Sequence, residues 1–330
     1  MLKKINIKNW NLEIGKTIEN IPVFYQVFGK PIGESPVVLV NHALTGNSNV
    51  IGKNGWWNDL IGDNKTIDTN LFTILAINIP GNGFDGNSIN LIENYKDFTI
   101  RDIANIYWKT IFELKLKELF AVIGGSLGGA IAWEMAILRS NKIENLIPIA
   151  TNWKATDWMI ANVLLQDSIL NNSKNPIENA RIHAMLLYRT PQSVNQRFKR
   201  EKSENNVFQI ENWLTNHGVK LKNRFTLSAY KFMNHLLKTN DITRNRDSFE
   251  TISATIQSNI HIISVDSDLF FTYDEDVETY KTLKKIKQNI FHHTIKSIHG
   301  HDAFLIEFEQ LSTILNPIFN TIKTLNYVTN

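Results

Sequence analysis

Residues 119–136 constrain the fold more than any other stretch: Leu-Phe-Ala-Val-Ile-Gly-Gly-Ser-Leu-Gly-Gly-Ala-Ile-Ala-Trp-Glu-Met-Ala. The apolar run 119–123 has strand length and stops at Gly124-Gly125. After Ser126 and Gly128-Gly129, apolar residues return at helical spacing. Strand, tight glycine turn and helix form the setting in which a G-x-S-x-G serine is presented as a nucleophile. The reason is steric. A serine on so sharp a turn sits in strained backbone, and its neighbours must lack side chains for strand and helix to approach. Ser126 is therefore the candidate nucleophile, and its partners must come from elsewhere in the chain.

The flanking pattern fits an α/β protein. Apolar runs at 23–28, 36–40, 71–77, 119–123, 146–150, 260–265 and 291–298 have the length and composition of strands. A hairpin turn is expected at 29–35, between the first two. A short helical turn is expected at 55–62. Amphipathic helices are expected at 99–114, after the serine, at 274–287 and at 302–325. The alternation through 70–150 implies right-handed βαβ units and a mainly parallel sheet flanked by helices. From about 152 to 239 the alternation stops. Only helical segments follow there (156–170, 176–187, 191–199, 204–216 and 224–237), with Pro176 and Pro191 at helix starts. The expected organisation is a core from 1–151 and 240–330, with 152–239 inserted as an all-helical cap.

Composition excludes several classes. With 330 residues, 43% of them hydrophobic, the chain can bury one large core. A net charge of +3 from scattered Lys and Arg leaves no footprint for nucleic acid. The absence of cysteine removes thiolate catalysis and disulfides and fits a reducing compartment. No apolar stretch has the length of a signal peptide or a membrane span, so a cytoplasmic protein with no membrane partner is expected. No metal site is indicated. Residues 81–86 match G-x-G-x-x-G, but Pro80 precedes them and a polar run follows, so a loop is expected rather than a dinucleotide fingerprint.

A serine needs a general base, and the base needs an orienting carboxylate. On such a sheet they follow in the order Ser, acid, His at later strand ends. Asp266 and Asp268 both follow the strand at 260–265, and spacing alone does not separate them. Past the last strand come His299, Gly300, His301 and Asp302. Of the two histidines, His301 precedes a helix and is placed to project from the loop. Oxyanion donors are expected from the backbone of Leu127 and from the loop at 42–46 around Leu44.

The stretches Asn-His-Ala-Leu-Thr-Gly-Asn-Ser (41–48), Gly-Trp-Trp (55–57), Gly-Gly-Ser-Leu-Gly-Gly (124–129) and Gly-His-Asp-Ala-Phe-Leu (300–305) together resemble the homoserine O-acetyltransferases of the α/β-hydrolase superfamily. The resemblance implies an α/β-hydrolase fold with Ser126 as nucleophile, Asp268 as orienting acid and His301 as base. It also implies substrate contacts from Arg181 and Asp302, matching a guanidinium to an α-carboxylate and a carboxylate to an α-ammonium. Acetyl-CoA would be a co-substrate, with no permanently bound cofactor. Homoserine would be the acceptor in a ping-pong reaction of methionine biosynthesis, and a homodimer would form through the cap helices. The segment between Asn162 and Pro176 is shorter than in that family and lacks its acidic, glycine-bearing loop. An esterase, a succinyl-CoA-dependent enzyme or a serine acyltransferase would use the same triad, but the Arg181–Asp302 pair argues against water as acceptor.

Overall fold

The structure, a computed structural model, describes residues 1–328. Its strands are β1 (Lys3–Asn11), β2 (Thr17–Gly29), β3 (Val37–Asn41), the two-residue β4 (Ile61–Gly62) and β5 (Ile67–Asp68), β6 (Thr73–Ile77), β7 (Leu119–Gly125), β8 (Ile143–Ile149), β9 (Asn259–Val265) and β10 (Ile290–Ile295). Eight of them form one sheet in the order β1-β2-β6-β3-β7-β8-β9-β10. The pairing is antiparallel for β1–β2 and β2–β6, and parallel from β6 to β10. The central strands β3, β6 and β7 are buried along their whole length, which is why they read as continuous apolar runs.

The helices are α1 (Ile100–Glu113), α2 (Leu127–Leu138), α3 (Asp157–Asn172), α4 (Pro176–Tyr188), α5 (Pro191–Phe198), α6 (Gln209–Lys222), α7 (Leu227–Lys238), α8 (Phe249–Ala254), α9 (Tyr273–Lys284) and α10 (Phe308–Val328). Apolar cores cover both faces of the sheet. One includes Trp108 and Trp133 of α1 and α2, and the other includes Trp57 and Phe319. Helix α1 starts on a capping box, Thr99 Oγ1 accepting from the Asp102 N–H while the Asp102 carboxylate accepts from the Thr99 N–H. Helices α3 to α7 all lie between the adjacent strands β8 and β9. The buried Glu134 of α2 bonds Arg101 Nε at 2.8 Å and Arg246 Nη2 at 2.6 Å, tying α2 to α1 and to the chain returning from α7.

Several expectations need correction. No hairpin joins β2 to β3, because β6 lies between them and pairs with both. Strand β1 was not anticipated, although Ile5 and Ile7 alternate with polar residues as an edge strand should. Residues 56–60 form hydrogen-bonded turns, the Ile61 N–H donating to Trp57 O, and the expected helical turn gives way to strand β4 at Ile61. Helix α6 begins at Gln209 rather than 204, where the Glu211 carboxylate accepts the Phe208 N–H. Helix α8 was missed. The last helix is preceded by a separate 3₁₀ turn, Gly300–Leu305, which carries His301 and Asp302. Residues 81–86 are a loop as expected, and Gly81, Gly83 and Gly86 all adopt left-handed φ.

Candidate active site

The parallel strands end on one edge of the sheet, and the candidate residues gather in the loops there. Ser126 follows β7 with φ 56° and ψ −126°. Only a site over-determined by its surroundings holds a non-glycine residue in such a conformation. Its N–H donates to Ile149 O at 2.9 Å, and its carbonyl accepts from the Gly129 and Ala130 N–H groups of α2. The glycines around it are required by contact. A Cβ on Gly128 would lie 2.3 Å from Asn41 O, one on Gly129 would lie 2.3 Å from Thr151 Cγ2, and one on Gly125 would lie 2.5 Å from the Phe304 ring.

Past β9, Asp268 is buried and His301 reaches it from the 3₁₀ turn, with Nδ1–H donating to Oδ2 at 2.7 Å. The other oxygen, Oδ1, accepts from the Phe270 and Phe271 N–H groups at 2.7 and 3.0 Å, so the carboxylate cannot rotate away. Four aromatic rings enclose the His301 imidazole: Tyr188 at 5.3 Å, Phe270 at 5.2 Å, Phe271 at 5.7 Å and Phe304 at 5.5 Å between centroids. Asp266, the competing acid, instead accepts the Ser297 N–H at 3.0 Å and shapes the loop leading to His301. His292 and His293 lie in β10, bonded to Ser264 and His261 and away from the site.

Ser126, His301, Arg181, Asp302 and Leu44 line one cavity of about 310 Å³. Leu127 is buried at the first position of α2, where helix geometry gives its N–H no acceptor in the preceding turn. Arg181 projects from α4 with Cζ 5.5 Å from the Tyr188 ring centroid. Among the described residues neither Arg181 nor Asp302 has an ion-pair partner within the protein. Burial pushes the Asp302 carboxyl above its ordinary range, against the pull of Arg181, His301 and Arg189. The cavity thus presents a free cation and a free anion beside a serine, which is the complement of a small zwitterion. No group of three or more His, Cys, Asp or Glu side chains able to hold a metal ion occurs among the described residues.

Sequence reasoning missed several contributors. His42 was read only as part of a loop. In the structure it is buried, its Nδ1–H donates to Ala43 O at 2.8 Å and its Nε2 accepts the Ile79 N–H at 3.0 Å. This fixes the loop bearing Leu44 to the end of β6, and burial lowers the imidazole to about 4, so it stays neutral. Tyr188 lies seven residues after Arg181 and was legible as the same face of one helix. Arg224 lines the cavity and donates to Thr45 O at 2.7 Å, a contact across 179 residues with no local signal.

The sheet order, the helices on both faces and the serine turn define an α/β-hydrolase fold, and a family model described as alpha/beta hydrolase fold matches residues 36–175. A homoserine O-acetyltransferase of Bacillus anthracis superposes with a TM-score of 0.87 at 20% identity, covering 97% of each chain. Esterase E22 superposes with a TM-score of 0.86 at 19% identity, covering 97% of this chain and all (100%) of its own. Sequence narrows the assignment further. The homoserine O-acetyltransferase of Cyclobacterium marinum is 33% identical over 94% of this chain and 92% of its own length. That of Methanococcus vannielii is 32% identical over 96% of this chain and 73% of its own. The chain belongs to the homoserine O-acetyltransferase family.

Proposed function

We propose that this chain transfers an acetyl group from acetyl-CoA to the γ-hydroxyl of homoserine through an acyl-Ser126 intermediate. The observation that carries this reading is the unpaired Arg181 and Asp302 facing the cavity of Ser126 and His301. In the first half, His301 Nε2 takes the Ser126 proton as Oγ attacks the thioester carbon. The N–H groups of Leu44 and Leu127 hold the oxyanion. The C–S bond breaks as the intermediate collapses, and the proton on His301 passes to the departing sulfur. In the second half the homoserine hydroxyl gives its proton to His301 and attacks the acyl carbon, and Ser126 Oγ leaves with that proton. Asp268 holds the imidazole tautomer and stabilises the charge that forms on it.

Arg181 grips the acceptor carboxylate and Asp302 its ammonium, which aims the hydroxyl at the acyl carbon. Helices α3 to α7 act as the cap over the acyl-enzyme and keep water from it. The absence of cysteine fits a reducing compartment, and the reading carries a cytoplasmic, methionine-biosynthetic role with it.

An esterase using the same residues would release CoA at a rate independent of any amino acid. The transferase reading predicts that CoA release from acetyl-CoA, followed with a thiol reagent, rises at least tenfold when homoserine is added. Release indifferent to homoserine contradicts it.

The family likeness and the surface of α3 also lead us to propose a homodimer through the cap. Trp158, Ile160, Leu164 and Leu165 of α3 are 48%, 42%, 70% and 47% exposed, and Leu186 of α4 is 55% exposed. So many large apolar side chains on one pair of helices is the composition of a subunit interface.

A further inference from the structure

We propose that Arg224 is a positioning residue for the oxyanion hole, reaching from the cap to orient and polarise the Leu44 N–H through two peptide groups. This rests on the transferase reading only in taking Leu44 as an oxyanion donor. The starting point is an unspent charge at the cavity wall. Arg224 lines the cavity of Ser126, and it is in no ion pair among the described residues. Its guanidinium makes a single hydrogen bond there, Nη1–H donating to Thr45 O at 2.7 Å.

The peptides behind that carbonyl give the bond its reach. A trans peptide is planar, so its C=O and its N–H point in opposite directions. The C=O of the Thr45–Gly46 peptide accepts from Arg224, and its N–H, on Gly46, donates to Ala43 O at 2.9 Å. Ala43 O therefore looks into the turn, and the N–H of the same peptide, on Leu44, looks out of it. That N–H has no acceptor among the described residues, and Leu44 lines the cavity. Guanidinium, two peptides and the Leu44 N–H thus stand in one head-to-tail row. Bonds in such a row polarise one another, and a cation at its head strengthens the donor at its tail. The turn itself is tight, since a Cβ on Gly46 would lie 2.9 Å from His42 Cβ.

The cap end of the row is rigid. Arg224 sits at the corner between α6 and α7, where its own N–H donates to Leu221 O at 3.0 Å and its neighbour Phe225 is buried. Thr226 caps α7 by accepting the Ala229 N–H at 3.2 Å. At the far end of α7, Thr239 Oγ1 accepts the Ile100 N–H at 3.0 Å and ties the helix to the core. His42 holds the same turn from the core side, through Ala43 O. Arg224 is its hydrogen-bond tie to the cap among the described residues, so seating the cap and orienting the Leu44 N–H are one event.

The test uses full-length Arg224→Met, which keeps the apolar stem and loses the donor, beside Arg224→Lys, which keeps a cationic donor. Acylation of Ser126 is followed with acetyl-CoA and with p-nitrophenyl acetate, an ester without CoA, and deacylation with homoserine. Each of these steps passes through an oxyanion. Rates are taken per active site, counted from the p-nitrophenolate burst, so loss of folded protein does not register as loss of rate. The expected result for Arg224→Met is a fall of about tenfold or more in all three rates, with the KM for acetyl-CoA and for homoserine unchanged. Arg224→Lys recovers most of that loss. Unchanged acylation by p-nitrophenyl acetate in Arg224→Met overturns the proposal. So does a loss confined to acetyl-CoA or to homoserine, which would make Arg224 a contact to that substrate alone. The ester step needs neither CoA nor homoserine, so its outcome is independent of the transferase reading, which the homoserine dependence of CoA release tests.

Discussion

At the scale of single residues, the site depends on which oxygen meets which N–H. Asp266 and Asp268 are two positions apart and chemically identical, yet one carboxylate holds His301 and the other holds the Ser297 backbone. Spacing could not separate them, because the difference is set by how the chain turns after Val265. The resemblance to a family chose Asp268, and Asp268 is the one that bonds His301. Ser126 and His301 were legible because a strained elbow and a histidine beyond the last strand are local signals. The task of His42 was not, since it depends on Ile79 arriving from another strand. His42 also carries a prediction. Unfolded, it takes a proton near 6.5; folded, only near 4. Its contribution to stability is therefore complete above 6.5 and is lost as pH falls through that window. By pH 5 the loss is about 2 kcal/mol. Urea denaturation of wild type and His42→Gln at pH 7 and 5 measures it. The wild type should lose about that much more stability than the variant on acidification, and an equal loss in both contradicts the assignment.

At the scale of elements, the strand–serine–helix unit was the most legible part of the chain, since four glycines around one serine leave few alternatives. The structure adds the reason for each glycine. Gly128 is pressed against the Asn41 carbonyl at the start of the loop that bears Leu44, so α2 and that loop share one contact. Gly128→Ala must push them apart. The expected outcome is a loss of about 3 kcal/mol in stability by thermal or urea denaturation, with activity falling further than the folded fraction. A variant of wild-type stability and activity would show that the elbow has slack it is not expected to have. Less legible were elements whose partners are distant. The segment at 29–35 has the glycine and proline of a hairpin turn, yet β6 takes the place between β2 and β3. Local turn chemistry does not show which strand arrives later in the chain.

At the scale of the molecule, the alternation of strands and helices and its interruption near residue 152 were visible as a change of hydrophobic period. What the helices between β8 and β9 face was not, because an apolar helix surface reads alike whether it meets a core or another subunit. The exposed apolar side chains of α3 place the proposed dimer there. Leu164→Glu should convert a particle of twice 37.9 kDa to one of 37.9 kDa in sedimentation velocity. A wild-type monomer, or a variant that remains dimeric, excludes α3 as the interface.

The central claim is that Ser126 carries the acyl group between them. The most direct measurement is incubation of the protein with acetyl-CoA alone, followed by intact mass and peptide mapping. The account predicts a single acetyl group on the peptide containing Ser126, absent from Ser126→Ala and discharged on adding homoserine. An acetyl group on another residue, or transfer to homoserine that survives Ser126→Ala, would contradict it.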